Sequence, residues 1–143
     1  MNIIDVKNSL CDKSVYSLLA PSVFNPTSER LLSRAEKYQA DDKTKAYAYA
    51  DNGEYKGIIV FKVEDNTAEI LDIAVIPEYK GNGIGRRLID YIFTRFAVNK
   101  IIAETDDDAI GFYKKYGFTV TDTKVNHDTK RYVCEYPRKL NNT

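Results

Sequence analysis

Three glycines fall within five positions of PEYKGNGIGRRL, residues 77–88, and two arginines follow at once. Gly81, Gly83 and Gly85 leave the backbone bare where a helix is about to begin, and glycine in such a place costs conformational entropy. A strand, a glycine-rich turn and a helix N-terminus together make an anion site. The first helical N–H groups have no partner inside the helix, the helix dipole favours negative charge there, and bare glycines admit phosphate oxygens. Arg86 or Arg87 can add charge-assisted hydrogen bonds. One glycine would suit a tight loop and nothing more; three in alternation after a strand favour a phosphate-bearing ligand.

Spacing narrows the ligand. A P-loop needs a Gly-Lys-Ser/Thr ending, and here Gly85 is followed by Arg86 and Arg87. The dinucleotide fingerprint G-x-G-x-x-G is a better rival, because Glu104 ends the next expected strand about 20 residues on. Counted from Gly81, however, its third glycine falls on Arg86, and counted from Gly83 it falls on Leu88. Too little chain remains after Glu104 for a second nucleotide-binding half.

The elements that must position this loop can be read from periodicity. NIIDV (2–6) is expected to be a short strand. A helix follows it, with Ser9 as cap, Leu10, Val15, Leu18 and Leu19 as its apolar positions, and Pro21 as its stop. A second helix is expected over 28–39. The period then changes to two: 45–50 and 55–63 read as strands joined at Asn52–Gly53, a pair that suits a hairpin turn with positive φ at both positions. Residues 67–76 complete the meander. Ile84, Leu88, Ile92 and Phe96 stand four apart on one helical stripe. A buried strand (100–104), a helix ending at Gly117 and a closing hairpin (118–124 and 131–136) follow. The expected fold class is α/β: a mixed sheet, an antiparallel meander followed by a parallel βαβ pair, with helices on both faces.

Composition sets the outer limits. The 143 residues suit one domain, 1–143, with 43% hydrophobic and 29% charged residues. Lys+Arg and Asp+Glu number 21 each, so no net field draws the chain to nucleic acid or an acidic membrane. No apolar run approaches the roughly 20 residues of a membrane span. The start MNIIDVKNSL lacks the pattern of a signal peptide, which points to the cytoplasm. Cys11 and Cys134 are far apart with no CxxC pair, so neither a metal site nor a disulfide framework is expected, and both read as buried or half-buried thiols.

The same stretch resembles the cofactor signature of the GNAT superfamily of N-acetyltransferases, R/Q-x-x-G-x-G/A. Lys80, Gly81, Asn82, Gly83, Ile84 and Gly85 fill it, with lysine at the first position. ILDIAVIPEY is similar to that family's fourth strand, and DDDAIGFYKKYGF to its A-x-x-x-Y-x-x-x-GF motif. The resemblance runs from 2 to 136. It implies acetyl-CoA as acetyl donor, with backbone N–H groups of residues 81–86, Arg86 included, holding the pyrophosphate. It also implies a bulge in the fourth strand, a splay from the fifth, and pairing of the pantetheine arm with the backbone of Ile73, Ala74 and Val75. At Asp106 the family often has a cofactor-contacting asparagine, and here the aspartate is suited to capping a helix.

The chemistry implied is acetyl transfer from acetyl-CoA to an amine. Free lysine titrates near 10.4, so the amine must lose a proton before it attacks. The Val75 N–H is the implied donor to the oxyanion, and Tyr113 the implied acid for the leaving thiolate. Without the motif, Tyr113 would read as one of eleven tyrosines, on a buried helical face beside Phe112 and Tyr116. Glu69 occupies the place where several family members carry a general base; it also reads as a solvated strand residue. Asp72 is the substitute, and desolvation is expected to favour Glu69, with Asp72 nearer solvent. His127, the one histidine, lies in a polar loop. Glu69, Asp72, Glu104 and Asp106–Asp108 hint at a cationic amine, on a small molecule or a peptide, and the resemblance allows a homodimer. A non-catalytic CoA sensor of the same fold is the alternative.

Overall fold

In the computed structural model, which describes residues 2–139, the change of period along the chain becomes a change of element. Met1 and residues 140–143, part of the expected domain, lie outside the described residues. β1 (Ile3–Asp5) is followed by a broken helical segment, a 3₁₀ turn (Lys7–Ser9), α1 (Lys13–Tyr16) and a second 3₁₀ turn (Ser17–Ser22). The single helix capped by Ser9 is therefore not formed. Asp12 takes the N-cap position of a one-turn helix, and Pro21 lies inside the second 3₁₀ turn instead of ending an α-helix. The apolar positions were read correctly nonetheless: Leu10, Val15, Leu18 and Leu19 are all buried. Short 3₁₀ pieces seat them without the uninterrupted i→i−4 ladder that Pro21 would break.

α2 (Ser28–Ala40) starts at Thr27, whose hydroxyl accepts from the Arg30 N–H at 3.2 Å. The meander is β2 (Thr44–Asp51), β3 (Glu54–Glu64) and β4 (Thr67–Val75). Asn52 and Gly53 take φ of 52° and 80°, as the hairpin signal required. α3 (Ile84–Arg95), β5 (Lys100–Thr105), α4 (Ile110–Tyr116), β6 (Thr119–Asn126) and β7 (Thr129–Pro137) complete the chain.

The seven strands lie in the order β1-β2-β3-β4-β5-β7-β6, with β4 and β5 parallel and every other pair antiparallel. The closing hairpin folds back so that β7, not β6, lies against β5. Helices cover both faces, as expected. One core joins α3 and α4 to the sheet through Leu88, Ile89, Ile92, Tyr113, Phe61 and Ile101; the other joins the 7–22 segment and α2 through Leu19, Leu31, Ala35, Ile58 and Val60. Among the described residues no helix is long and apolar enough to cross a membrane.

Two irregularities shape the middle of the sheet. Val60 pairs with Asp72 but Phe61 pairs with Ile70, so Leu71 is an extra residue, a bulge in β4. The parallel pairing of β4 with β5 ends at Ile70–Ala103. Beyond it β4 runs on to Val75 with β3 on one side and, among the described residues, no strand on the other.

Candidate active site

The unpaired half of β4 is the centre of the site. Strand geometry sends both backbone groups of a residue to the same side and alternates sides along the chain. The Ile76 N–H bonds the Lys56 carbonyl at 2.9 Å, which turns residues 76 and 74 toward β3. The Ala74 carbonyl accordingly lies 3.0 Å from where a Cβ on Gly57 of β3 would stand. Ile73 and Val75 therefore turn their N–H and C=O groups into the splay. The expectation of a continuous stretch Ile73, Ala74, Val75 is corrected here: Ala74 is occupied by β3, and the residues on either side of it are open.

The splay leads to the glycine turn. Gly81 and Gly83 have φ of 86° and 79°, where an L side chain is strained, and nothing lies within 4 Å of where a Cβ would stand. Gly83 is the N-cap of α3, and the first helical bond runs from the Arg87 N–H to the Gly83 carbonyl at 3.0 Å. Among the described residues no amide from Gly81 to Arg86 donates to a backbone carbonyl outside regular elements. These open donors sit at the positive end of a 12-residue helix. Gly85 serves another purpose: a Cβ there would stand 2.9 Å from the Phe112 ring, so its bareness lets α4 pack on α3.

The side chains of the signature stay outside the cradle. Asn82 Nδ2 donates to the Tyr79 carbonyl at 3.1 Å and shapes the turn, while Lys80 is exposed. The Arg86 guanidinium lies 4.7 Å from the Tyr116 ring centroid and leans toward α4. Arg87 donates to the Tyr49 hydroxyl at 2.8 Å. Arg86 offers an anion its backbone N–H, and both arginines add a general positive field, not a side-chain clamp.

α4 closes the splay from the α3 side. Asp106 shapes the turn before it, whose end, Ala109, is the N-cap: Oδ1 accepts from the N–H groups of Asp108 and Ala109, both at 3.1 Å. Gly117 ends it at φ 126°, with the Tyr136 ring where a side chain would go. On the helix only Tyr113 is buried; Phe112 is exposed and Tyr116 half-buried. Burial, helped by the neighbouring Cys134 and Asp72, holds the Tyr113 phenol well above its ordinary 10.0. It carries its proton at neutral pH.

On the opposite face the two carboxylates of β4 reverse their expected environments. Glu69 is exposed, and Asp72 is buried at 6%. The cause is α2 and the 17–22 turn, whose side chains Arg34, Tyr38 and Ser22 converge on Asp72. Asp72 Oδ1 lies 2.9 Å from the Ser22 hydroxyl, Oδ2 accepts from Arg34 Nη1 at 3.0 Å, and the Tyr38 hydroxyl also donates to Oδ2. Sequence reasoning missed Ser22, Arg34 and Tyr38 as partners of Asp72. The i, i+4 spacing of Arg34 and Tyr38 on one helix was the available signal, and it needed the sheet position to mean anything.

Of the rest of the acidic set, Asp106 accepts from two backbone amides, Asp107 accepts from the Tyr132 hydroxyl, and Asp108 is exposed. Glu104 accepts from Lys124 at 3.2 Å and Arg131 at 3.4 Å, and Lys124 above all holds its carboxyl below the usual range. His127 is exposed in the turn of the β6–β7 hairpin, at φ 49°. Cys134 is buried and Cys11 half-buried, as expected. Among the described residues no group of three or more His, Cys, Asp or Glu could hold a metal ion.

A family model described as "Acetyltransferase (GNAT) family" matches residues 13–118. A curated relative, the peptidyl-lysine N-acetyltransferase YjaB of Salmonella typhimurium, is 33% identical over 75 residues. That match covers 52% of this chain and 49% of the relative, about half the length of each. Among solved structures, the ribosomal-protein-S18-alanine N-acetyltransferase of Escherichia coli superposes with a TM-score of 0.77 at 17% identity, covering 97% of this chain and 94% of that one. An aminoglycoside 6'-N-acetyltransferase complexed with coenzyme A gives 0.73 at 17%, covering 98% and 100%. At such identity these two structures establish the shared fold, and the family match over residues 13–118 establishes more: the chain belongs to the GNAT family of acetyltransferases.

Proposed function

We propose that the chain, as one domain over residues 1–143, is an acetyl-CoA-dependent N-acetyltransferase of the cytoplasm acting on a primary amine of a small molecule or a peptide. The observation that carries this is the splay: Ile73 and Val75 turn their backbone groups away from β3, where β5 no longer pairs, and the amides of residues 81–86 at the start of α3 are open. An extended arm can pair with the first, and a pyrophosphate can rest on the second. That one structural neighbour is complexed with coenzyme A supports the same donor. All three relatives are named N-acetyltransferases, which supports an amine acceptor.

The roles follow from placement. The amides of residues 81–86 hold the pyrophosphate, and Ile73 and Val75 hold the arm. One of those two amides, Val75 by family resemblance, donates to the thioester oxygen as it gains charge. Tyr113, protonated and buried beside the splay, gives its proton to the departing thiolate. Glu69, open to water on the acceptor side, takes the amine proton through a water. Asp72, already accepting from three donors, holds structure instead. Asp106 fixes the turn that leads into α4, and its service to the donor is to place Tyr113. With Glu104 paired, Glu69 is an open carboxylate that favours a cationic acceptor.

Titration calorimetry with acetyl-CoA, followed by assay of free thiol with a panel of amines, tests this reading. Binding with thiol release in the presence of an amine is expected. Binding with no release for any amine would make the protein a CoA sensor, and no binding at all would remove the phosphate assignment.

A further inference from the structure

The glycine turn reaches α3 from a 3₁₀ turn, Pro77–Tyr79, that follows β4. Its far end is fixed, because Ile84 and Gly85 are buried at the start of α3. Its near end has one side chain to hold it. From Pro77 to Gly83 six residues are exposed and only Tyr79 is half-buried, its ring packed on the core that α3 and α4 share with the sheet. The backbone on both sides is tied to Tyr79. Its N–H donates to the Ile76 carbonyl at 2.9 Å, and its carbonyl accepts from Asn82 Nδ2 at 3.1 Å. A fixed Tyr79 therefore fixes the turn of Gly81 and Gly83, and a loose one releases it.

Lys56 holds the ring. Its carbonyl accepts from the Ile76 N–H at 2.9 Å, and its Nζ lies 4.3 Å from the Tyr79 ring centroid. Asp51 Oδ2, 3.3 Å from Nζ, steers the ammonium, and Glu54 Oε2 lies 3.5 Å from the Tyr79 hydroxyl. All three residues belong to the β2–β3 hairpin. The Lys56 side chain is 15% exposed and that of Asp51 44%. An ion pair with one exposed member contributes little to stability, and an ammonium withdrawn from water loses hydration. A cation over an aromatic face, in contrast, is directional and strengthens as water is excluded. The arrangement is poorly suited to holding the fold together and well suited to holding one ring in one place.

We propose that Lys56 is a positioning residue for the donor site: it locks Tyr79, and through Tyr79 it holds the open amides of residues 81–86 in the arrangement that receives a pyrophosphate. The gain is preorganisation. A turn already ordered loses less conformational freedom when an anion binds, so donor affinity rises with no contact between Lys56 and the ligand. The donor half rests on the acetyltransferase reading; the anchoring half stands on the hairpin contacts alone.

Lys56→Met keeps the apolar stem and removes the charge, while Lys56→Arg keeps a cation for the ring and for Asp51. Backbone amide relaxation, measured by NMR on the unliganded full-length protein, reads the anchoring. The Gly81 and Asn82 amides are expected to be rigid in the parent, with order parameters of about 0.85, and to fall below about 0.6 in Lys56→Met. Lys56→Arg should restore them. Should Lys56→Met fail to fold, Tyr79→Leu takes its place with the same expected loss. Equal order parameters in parent and variant would overturn the anchoring.

Calorimetric titration with acetyl-CoA reads the donor half. Lys56→Met is expected to weaken binding about three- to thirtyfold, the scale of one cation–π contact. Neither kcat at saturating acetyl-CoA nor the acceptor KM should move with it, a split that general loss of structure would not produce. In the Tyr79→Leu background the same substitution should have no further effect, because Lys56 acts through the ring. An equal further loss there would overturn the positioning role, since Lys56 would then act on the ligand directly. A mobile turn with unchanged affinity would overturn the donor half and the phosphate assignment together. A parent that binds no acetyl-CoA would do the same, with the relaxation data still deciding the anchor. Binding without thiol release from any amine would strike the transferase reading alone, because both readouts need only binding.

Discussion

Glu69 and Asp72 stand three residues apart on β4 and on either side of the Leu71 bulge, and only Asp72 is buried. A bulge places consecutive residues on one face, so Leu71 and Asp72 both turn toward α2. A base must exchange its proton with solvent, and the open member of the pair is Glu69. Glu69→Gln is therefore expected to lower kcat/KM. Asp72→Asn should keep most of kcat and lose stability by about 1–3 kcal/mol, the cost of leaving hydrogen-bond partners unmatched. The half-exposed Arg34 recovers water and keeps the loss toward the lower end. Steady-state rates and thermal melts of the two variants decide the matter; loss of kcat in Asp72→Asn with Glu69→Gln unaffected would move the base.

The three glycines of the turn divide into two kinds, and substitution should separate them. Gly83 sits at φ 79° with open space around it, so Gly83→Asp brings backbone strain and a negative charge into the cradle. Acetyl-CoA affinity measured by calorimetry should fall at least about a hundredfold, as expected when an anion is opposed by like charge. Gly85→Val should leave the turn amides in place and push Phe112 off α3, lowering the melting temperature more than the affinity. If both variants lose only stability, the turn is a loop and not a phosphate site.

Much of this was legible in the residues, and the failures have physical causes. Strands and the α3 stripe came through because both depend on local periodicity, which tertiary contacts reinforced at Leu88 and Ile92. The single helix after Ser9 failed because buried apolar spacing does not distinguish an α-helix from successive 3₁₀ turns, and Pro21 favours the latter. The burial of Glu69 and Asp72 was reversed because exposure on a strand depends on what lies above it. α2 is remote in sequence, and its Arg34 and Tyr38 reach Asp72. Ala74 was assigned to the open side because strand direction, which the Ile76 to Lys56 bond settles, has no trace in residue type.

Cys134 and Cys11 should differ sharply toward alkylating reagents. Burial pushes the Cys134 thiol up to about 11, and its sulfur faces the Ala103 carbonyl at 3.6 Å. The reactive species is the thiolate, so at pH 8 Cys134 should stay unmodified in the folded protein while half-buried Cys11 reacts slowly. Peptide mass mapping after iodoacetamide treatment, with and without denaturant, checks this. Bound acetyl-CoA should leave the pattern unchanged, because neither sulfur belongs to the proposed donor contacts.

Tyr113 offers the sharpest test of mechanism, since its proposed role requires that it keep its proton. Burial, with Cys134 and Asp72 adding to it, places its folded value above the ordinary 10.0. The sign for stability follows: the contribution is full below pH 10, where folded and unfolded chains are both protonated, and is lost as pH rises through the folded value. Tyr38 and Tyr116 are shifted the same way, so the melting temperature should decline steeply only above pH 10. In catalysis the acid form persists over the whole neutral range, and ionisation of Tyr113 should impose no alkaline limb on kcat below pH 10. Tyr113→Phe removes the proton and keeps the ring packing on Phe118 and Phe112. Its kcat should fall by about 10²–10⁴, the usual range for a general acid, with acetyl-CoA affinity within a few-fold of the parent. An unaltered kcat would make Tyr113 a core residue, and the thiolate would then leave by taking its proton from water.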